Sequence, residues 1–159
     1  MKTKYFYSLV LLSILLFQGC SGIKPYPSQE KKNISITTSV DSGSFFSSVK
    51  AEVDIFSIDT QCNNIYEGSL SLRNNAIKSG ITTAKANKLS FIFSNSSFLG
   101  NNSSSINFPV YLKARKGYHY DFIVSYKDDL YNVELFESDT KTNTRRQLDT
   151  EDGQKCKNP

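Results

Sequence analysis

The sequence predicts an all-β fold, an antiparallel β-sandwich of seven or eight short strands. Three observations predict it: apolar residues recur with a period of two along most of the chain, turn-forming clusters separate these runs, and no ten-residue stretch has a convincing amphipathic helical period. With 159 residues, 38% of them hydrophobic and 13% aromatic, the chain has enough apolar surface for one domain and too little for two ordinary ones.

The strands follow in order. A weaker one is expected over 33–40, from Ile34, Ile36, Thr38 and Val40. Over 49–57, Val49, Ala51, Val53 and Ile55 alternate with Lys50, Glu52 and Asp54, the mark of a half-buried strand. Another weak strand covers 65–72, from Tyr66, Leu70 and Leu72. Over 88–94, Leu89, Phe91 and Phe93 alternate with polar residues, and over 106–113 Ile106, Phe108, Val110 and Leu112 do the same. Residues 118–127 place Tyr118, Tyr120, Phe122, Val124 and Tyr126 on one face, and His119, Asp121, Ser125 and Lys127 on the other. Residues 130–137 set Tyr131, Val133 and Leu135 against Asn132 and Glu134, and a last strand runs over 144–148.

The turn at Lys127-Asp128-Asp129 joins two strong strands and predicts a hairpin over 118–137, with a second hairpin through Asp139–Asn143. Pro109 predicts an edge strand or a bulge, because proline has no N–H for a ladder. Residues 74–87 admit two readings. Ala76, Ile77, Ala84 and Ala86 fit a brief helix, whereas Ser79-Gly80 and the β-branched Ile81-Thr82-Thr83 favour a strand or an extended crossing.

The first residues have a different character. Lys2 and Lys4 precede an apolar run from Tyr5 to Phe17, which ends at Gln18-Gly19-Cys20. As a helix such a run spans about 20 Å, short of the ~30 Å hydrocarbon core, so a secretion signal is expected in place of a membrane span. Ending in Gly19-Cys20, the segment resembles the lipobox of bacterial lipoproteins, with Phe17 and Gln18 standing where that family usually has an aliphatic residue and Ala or Ser. The resemblance implies that 1–19 is a lipoprotein signal peptide, cut between Gly19 and Cys20. It also implies a diacylglycerol on the Cys20 thiol and an acylated new amino group. Two or three acyl chains hold a protein on a bilayer where one is marginal. Ser21 after the anchor, in place of Asp, implies the outer membrane by the same family's sorting rule. An ordinary cleaved signal would instead leave a soluble periplasmic protein.

Residues 20–32 then read as the lipidated cysteine and a flexible tether, with two prolines, polar residues and no period, and 33–159 as the folded domain. Lys24, Lys31 and Lys32 lie in that tether, as solvated charges or as contacts to lipid phosphates. Cys62 and Cys156 form an even pair in a chain bound for an oxidising compartment, and a structural disulfide is expected between them. Closing so long a loop is worth at most about 4.7 kcal/mol in the chain-entropy account.

Composition excludes several functions. The net charge of +4 falls to +2, 17 basic against 15 acidic residues, once Lys2 and Lys4 go with the leader; that is no nucleic-acid footprint. A single histidine and eight glycines argue against multi-histidine metal sites and glycine-rich phosphate loops. No catalytic residue, metal site or cofactor is expected. His119 beside Asp121 is the nearest approach to an acid–base pair, and a surface histidine is the preferred reading because no nucleophile motif accompanies it. Asp128 and Asp129 fit turn chemistry, and Asp149, Glu151 and Asp152 a solvated tail flanked by basic residues. Phe98 and Leu99 stand within the polar segment Ser94–Ser105, where they either fold back to plug one end of the sandwich or project as a contact for a partner protein. Tyr118, Tyr120, Tyr126 and Tyr131 are expected in the core or in cross-strand packing, with a carbohydrate platform as the other reading.

These features lead to an expectation of a non-enzymatic, lipid-anchored protein of the outer membrane, facing the periplasm. It would serve as an accessory or adaptor in an envelope assembly, contacting the membrane through its anchor and an envelope protein through an edge strand or loop. In general plan it resembles the small transthyretin-like or immunoglobulin-like lipoproteins. The alternative is a periplasmic binding or inhibitor module for a glycan or a hydrolase.

Overall fold

The computed structural model describes residues 23–28, 31–41, 47–73, 75–97, 103–127 and 130–150. They form β1 (Ile34–Val40), β2 (Ser47–Ile58), β3 (Asn64–Leu72), β4 (Ala76–Ser79), β5 (Ala86–Ser97), β6 (Ser103–Leu112), β7 (Tyr118–Lys127), β8 (Leu130–Asp139) and β9 (Arg145–Leu148). No helix occurs among the described residues, and so none is long and apolar enough to cross a membrane.

The strands make two sheets, ordered β4-β1-β7-β8-β9 and β3-β2-β5-β6. The sheets share one core, because alternation sends one apolar row from each strand inward. Ile34 and Ile36, Val53 and Ile55, Leu89, Phe91 and Phe93, Phe122 and Val124, and Leu135 are almost fully buried in one cluster. Phe91 of one sheet meets Phe122 of the other with ring centres 5.5 Å apart, and Phe93 meets Tyr131 at 4.9 Å. The result is an all-β, sandwich-like arrangement. Both expected hairpins form, β7 with β8 and β8 with β9, and Pro109 lies on β6, the edge of the four-stranded sheet.

Three expectations need correction. The described residues hold nine strands, since 76–79 form the short edge strand β4 against β1, which removes the helical reading of that segment. The sheets are not wholly antiparallel: β1 runs parallel to β7, from Ile34 opposite Tyr120 to Val40 opposite Tyr126. Alternation reports which face of β1 is buried and is silent on the direction of its neighbour. The polar segment at 94–105 is largely strand, because β5 continues to Ser97 and β6 starts at Ser103. Phe98 and Leu99 lie outside the described residues, as do Gly19, Cys20, Asp128, Asp129 and Cys156.

The stretch expected as a flexible tether is fastened to the body over 24–28. Ser69 of β3 donates its N–H to the Lys24 carbonyl at 2.8 Å and accepts the Tyr26 N–H at 2.9 Å, a parallel bridge centred on Pro25. The Tyr26 hydroxyl donates to the Gly80 carbonyl at 2.8 Å, and the Gly80 N–H donates to Ser28 Oγ at 3.1 Å. Gly68 permits this approach. Its φ is +147°, and a Cβ there would stand 2.6 Å from the Tyr26 Cα. Backbone hydrogen bonding of an edge strand, which no side-chain pattern announces, accounts for the docking.

Candidate functional site

The β2–β3, β6–β7 and β8–β9 connections share one end of the molecule, and there the core closes on a carboxylate. Glu137 follows Val133 and Leu135 on the inward face of β8, so the alternation that buries them buries Glu137 too, at 4% exposure. A buried carboxylate is costly unless it is paired and hydrogen-bonded. Glu137 is both. Arg115, in the β6–β7 connection, grips it from one side, Nε to Oε2 at 3.1 Å and Nη2 to Oε1. Arg146 of β9 stands opposite Glu137 in the hairpin register and donates from Nε to Oε1 at 2.9 Å, with Nη2 in ion-pair contact 2.8 Å from the same oxygen. The Tyr120 hydroxyl donates to Oε2 at 3.0 Å and accepts the Arg115 backbone N–H at 2.9 Å.

These contacts govern the titration of the group. Burial pushes the Glu137 carboxyl up, but hydrogen bonds from Arg115, Arg146 and Tyr120 outweigh it and hold Glu137 below the ordinary carboxylate range. The hydrogen bond to Glu137 raises Arg115, while burial pushes the Tyr120 phenol up. At neutral pH the cluster therefore holds a carboxylate, guanidinium groups and a protonated phenol.

Above Glu137 opens a cleft of about 250 Å³, lined by Arg115, Tyr118, Asp139, Thr144, Arg145 and Arg146 as well as by Glu137. The guanidinium of Arg115 lies over the Tyr118 ring at 3.8 Å and that of Arg145 over Phe136 at 4.0 Å. A guanidinium seated over an aromatic face is held in place by it. Asp139 accepts the backbone N–H groups of Lys141 and Thr142, which lower its pKa and tie its carboxylate to its own turn.

A second cluster contains the only histidine. His119 and Asp121 point outward from β7, as expected, and Ser35 of β1 joins them because it lies opposite Asp121 in the parallel register. His119 Nε2 stands 3.3 Å from Ser35 Oγ and 3.4 Å from Asp121 Oδ1, and Ser35 donates to the same Oδ1. The residue types are those of a hydrolytic triad; the geometry is not. A triad needs the carboxylate on one ring nitrogen and the hydroxyl on the other, whereas here Nε2 faces both.

The tyrosines divide. Tyr120 is fully buried and Tyr126 nearly so, with Tyr126 against Tyr131 at 4.7 Å, so their packing is that of a core and not of a carbohydrate platform. Cys62 lies in the β2–β3 connection, and no second cysteine stands among the described residues. No group of acidic, histidine or cysteine side chains among the described residues is arranged to hold a metal ion.

Sequence reasoning picked out His119 and the tyrosines and missed Glu137. A signal was present: extending the inward positions 131, 133 and 135 by two residues puts a carboxylate in the core. Compared with known proteins, this chain matches no family model and no curated relative.

Proposed function

We propose that this chain is a non-enzymatic, lipid-anchored lipoprotein of the outer membrane, facing the periplasm, which serves as an accessory or adaptor in an envelope assembly. Its body follows an immunoglobulin-like or transthyretin-like plan. The observation that carries this reading is the docking of Lys24–Ser28 on β3 and Gly80. Only Ser21, Gly22 and Ile23 separate Cys20 from Lys24, so a lipid on Cys20 stands within about 14 Å of a hydrogen-bonded strand edge. Such a coupling suits a protein that works on a neighbour at the membrane surface. It suits poorly a module that must reach a soluble hydrolase, and the burial of Tyr120 and Tyr126 removes most of the support for glycan binding.

The same reading includes a Cys62–Cys156 disulfide. The Thr150 carbonyl accepts the Tyr111 N–H at 3.5 Å, which brings the chain to the β6 edge six residues before Cys156. Six residues reach about 20 Å. The β2–β3 turn that carries Cys62 lies three strand spacings from β6, about 14 Å, at the same end of the sheet. The reach supports the pairing.

The test is metabolic labelling with palmitate followed by fractionation and mass spectrometry of the mature chain. Acylated Cys20 as the first residue, recovery with outer membranes and loss of both in Cys20→Ala are expected. A mature chain starting elsewhere, or one without fatty acid, overturns the anchor. Inhibition of a lysozyme by the purified chain would favour the inhibitor reading instead.

A further inference from the structure

We propose that the arginine-lined cleft at the β8–β9 hairpin binds a phosphate group. The first argument is the number of donors. Of five guanidinium N–H groups each, Arg115 spends two on hydrogen bonds to Glu137 and Arg146 one. The others belong to side chains that line the cleft and are not taken by the carboxylate. Arg145 adds a third guanidinium. A carboxylate ligand offers two oxygens and is matched by one fork, whereas a phosphate offers three outer oxygens and matches several.

The second argument is preorganisation. Arg115 is held by Glu137 and by the face of Tyr118, Arg146 by Glu137, and Arg145 by the face of Phe136. Most of the side-chain ordering that a ligand would otherwise have to impose is already present.

The third is charge. One arginine and the Tyr120 hydroxyl suffice to satisfy a buried carboxylate, so burial of Glu137 does not require Arg145 and Arg146. Three guanidinium groups face two carboxylates, and that of Asp139 is engaged with its own turn. The cleft keeps a cationic excess. Its volume, about 250 Å³, equals that of roughly eight liquid waters and accommodates a phosphate with part of its substituent.

The inference is independent of the anchor. Its test is calorimetric titration of the purified full chain, in a non-ionic detergent at fixed ionic strength, with inorganic phosphate. Saturable binding is expected, weakened roughly tenfold or more by Arg146→Gln and only partly restored by Arg146→Lys, which keeps the charge and loses the fork. Arg146 is 65% exposed on a short edge strand, so its replacement leaves the core intact. Arg145→Gln supplies a second reading away from Glu137, and Lys116→Gln should bind as the wild type does. A parallel titration with glycerophosphoglycerol identifies the source: tighter binding of this diester points to a phospholipid headgroup, tighter binding of phosphate to a soluble monoester. No saturable binding of either at about 20 mM, or binding unchanged in both Arg145→Gln and Arg146→Gln, overturns the proposal.

Discussion

The hydroxyl of Tyr120 and the carboxylate of Glu137 face each other across the β7–β8 ladder and meet at 3.0 Å inside the core. Two arginines complete the site from outside, so one acidic side chain ties β7, β8, β9 and the β6–β7 connection together.

Removing that charge should be costly. Glu137→Gln leaves two guanidinium groups facing a neutral amide and should lower stability by about 2–3 kcal/mol at pH 7, after allowance for the exposure of both arginines. Because the folded state holds Glu137 below its ordinary pKa, its contribution is present above the unfolded carboxyl range and is lost as pH falls through the lower folded value. Urea unfolding of both proteins at pH 7 and at about pH 3 should therefore show the gap between them narrowing in acid. A gap that widens on acidification would contradict the assignment.

Gly68→Ala should release the Tyr26 segment. A Cβ 2.6 Å from a backbone atom cannot be relieved by a side-chain shift, and the positive φ adds strain. Amide exchange at Tyr26 and Ser69 should accelerate while the β7–β8 ladder stays protected. Tyr26→Phe, which removes only the bond to Gly80, should produce a smaller change in the same direction.

Thr38→Val should stabilise the protein. The Thr38 hydroxyl is buried in β1 with no hydrogen-bond partner among the described residues, and valine has nearly the same shape without the unmet polar atom. An increase of about 1 kcal/mol is expected from thermal or urea unfolding.

Opening the proposed Cys62–Cys156 disulfide should be felt more widely. Cys156→Ser should lower stability by up to about 4.7 kcal/mol, and the mature wild-type chain should take up two thiol-directed labels only after reduction. Labelling without reduction would refute the pairing.

Much of the fold was legible because the chain obeys a period of two. Ile36, Val53, Phe91, Phe122 and Leu135 all fall on the face that alternation assigns to the core. What escaped depends on partners and not on pattern. The direction of β1 against β7 is set by the path between the sheets, and β4 has too few residues, with a buried Ser79 and an exposed Ala76, to show a period. The docking of Tyr26 uses main-chain groups that every sequence possesses. Glu137 was overlooked because an acidic residue at an inward position makes sense only once Arg115, 22 residues away in sequence, and Tyr120 are seen beside it.

The order β3-β2-β5-β6 puts the two flanks of the smaller sheet to different uses. One flank is occupied by the chain's own approach, through Lys24 and Tyr26; the other, bearing Pro109, takes among the described residues a single backbone hydrogen bond, from the Tyr111 N–H to the Thr150 carbonyl. A visiting strand that adds to the second flank would not compete with the first. In the proposed adaptor, arrival and recruitment would thus be insulated from one another by the width of two strands.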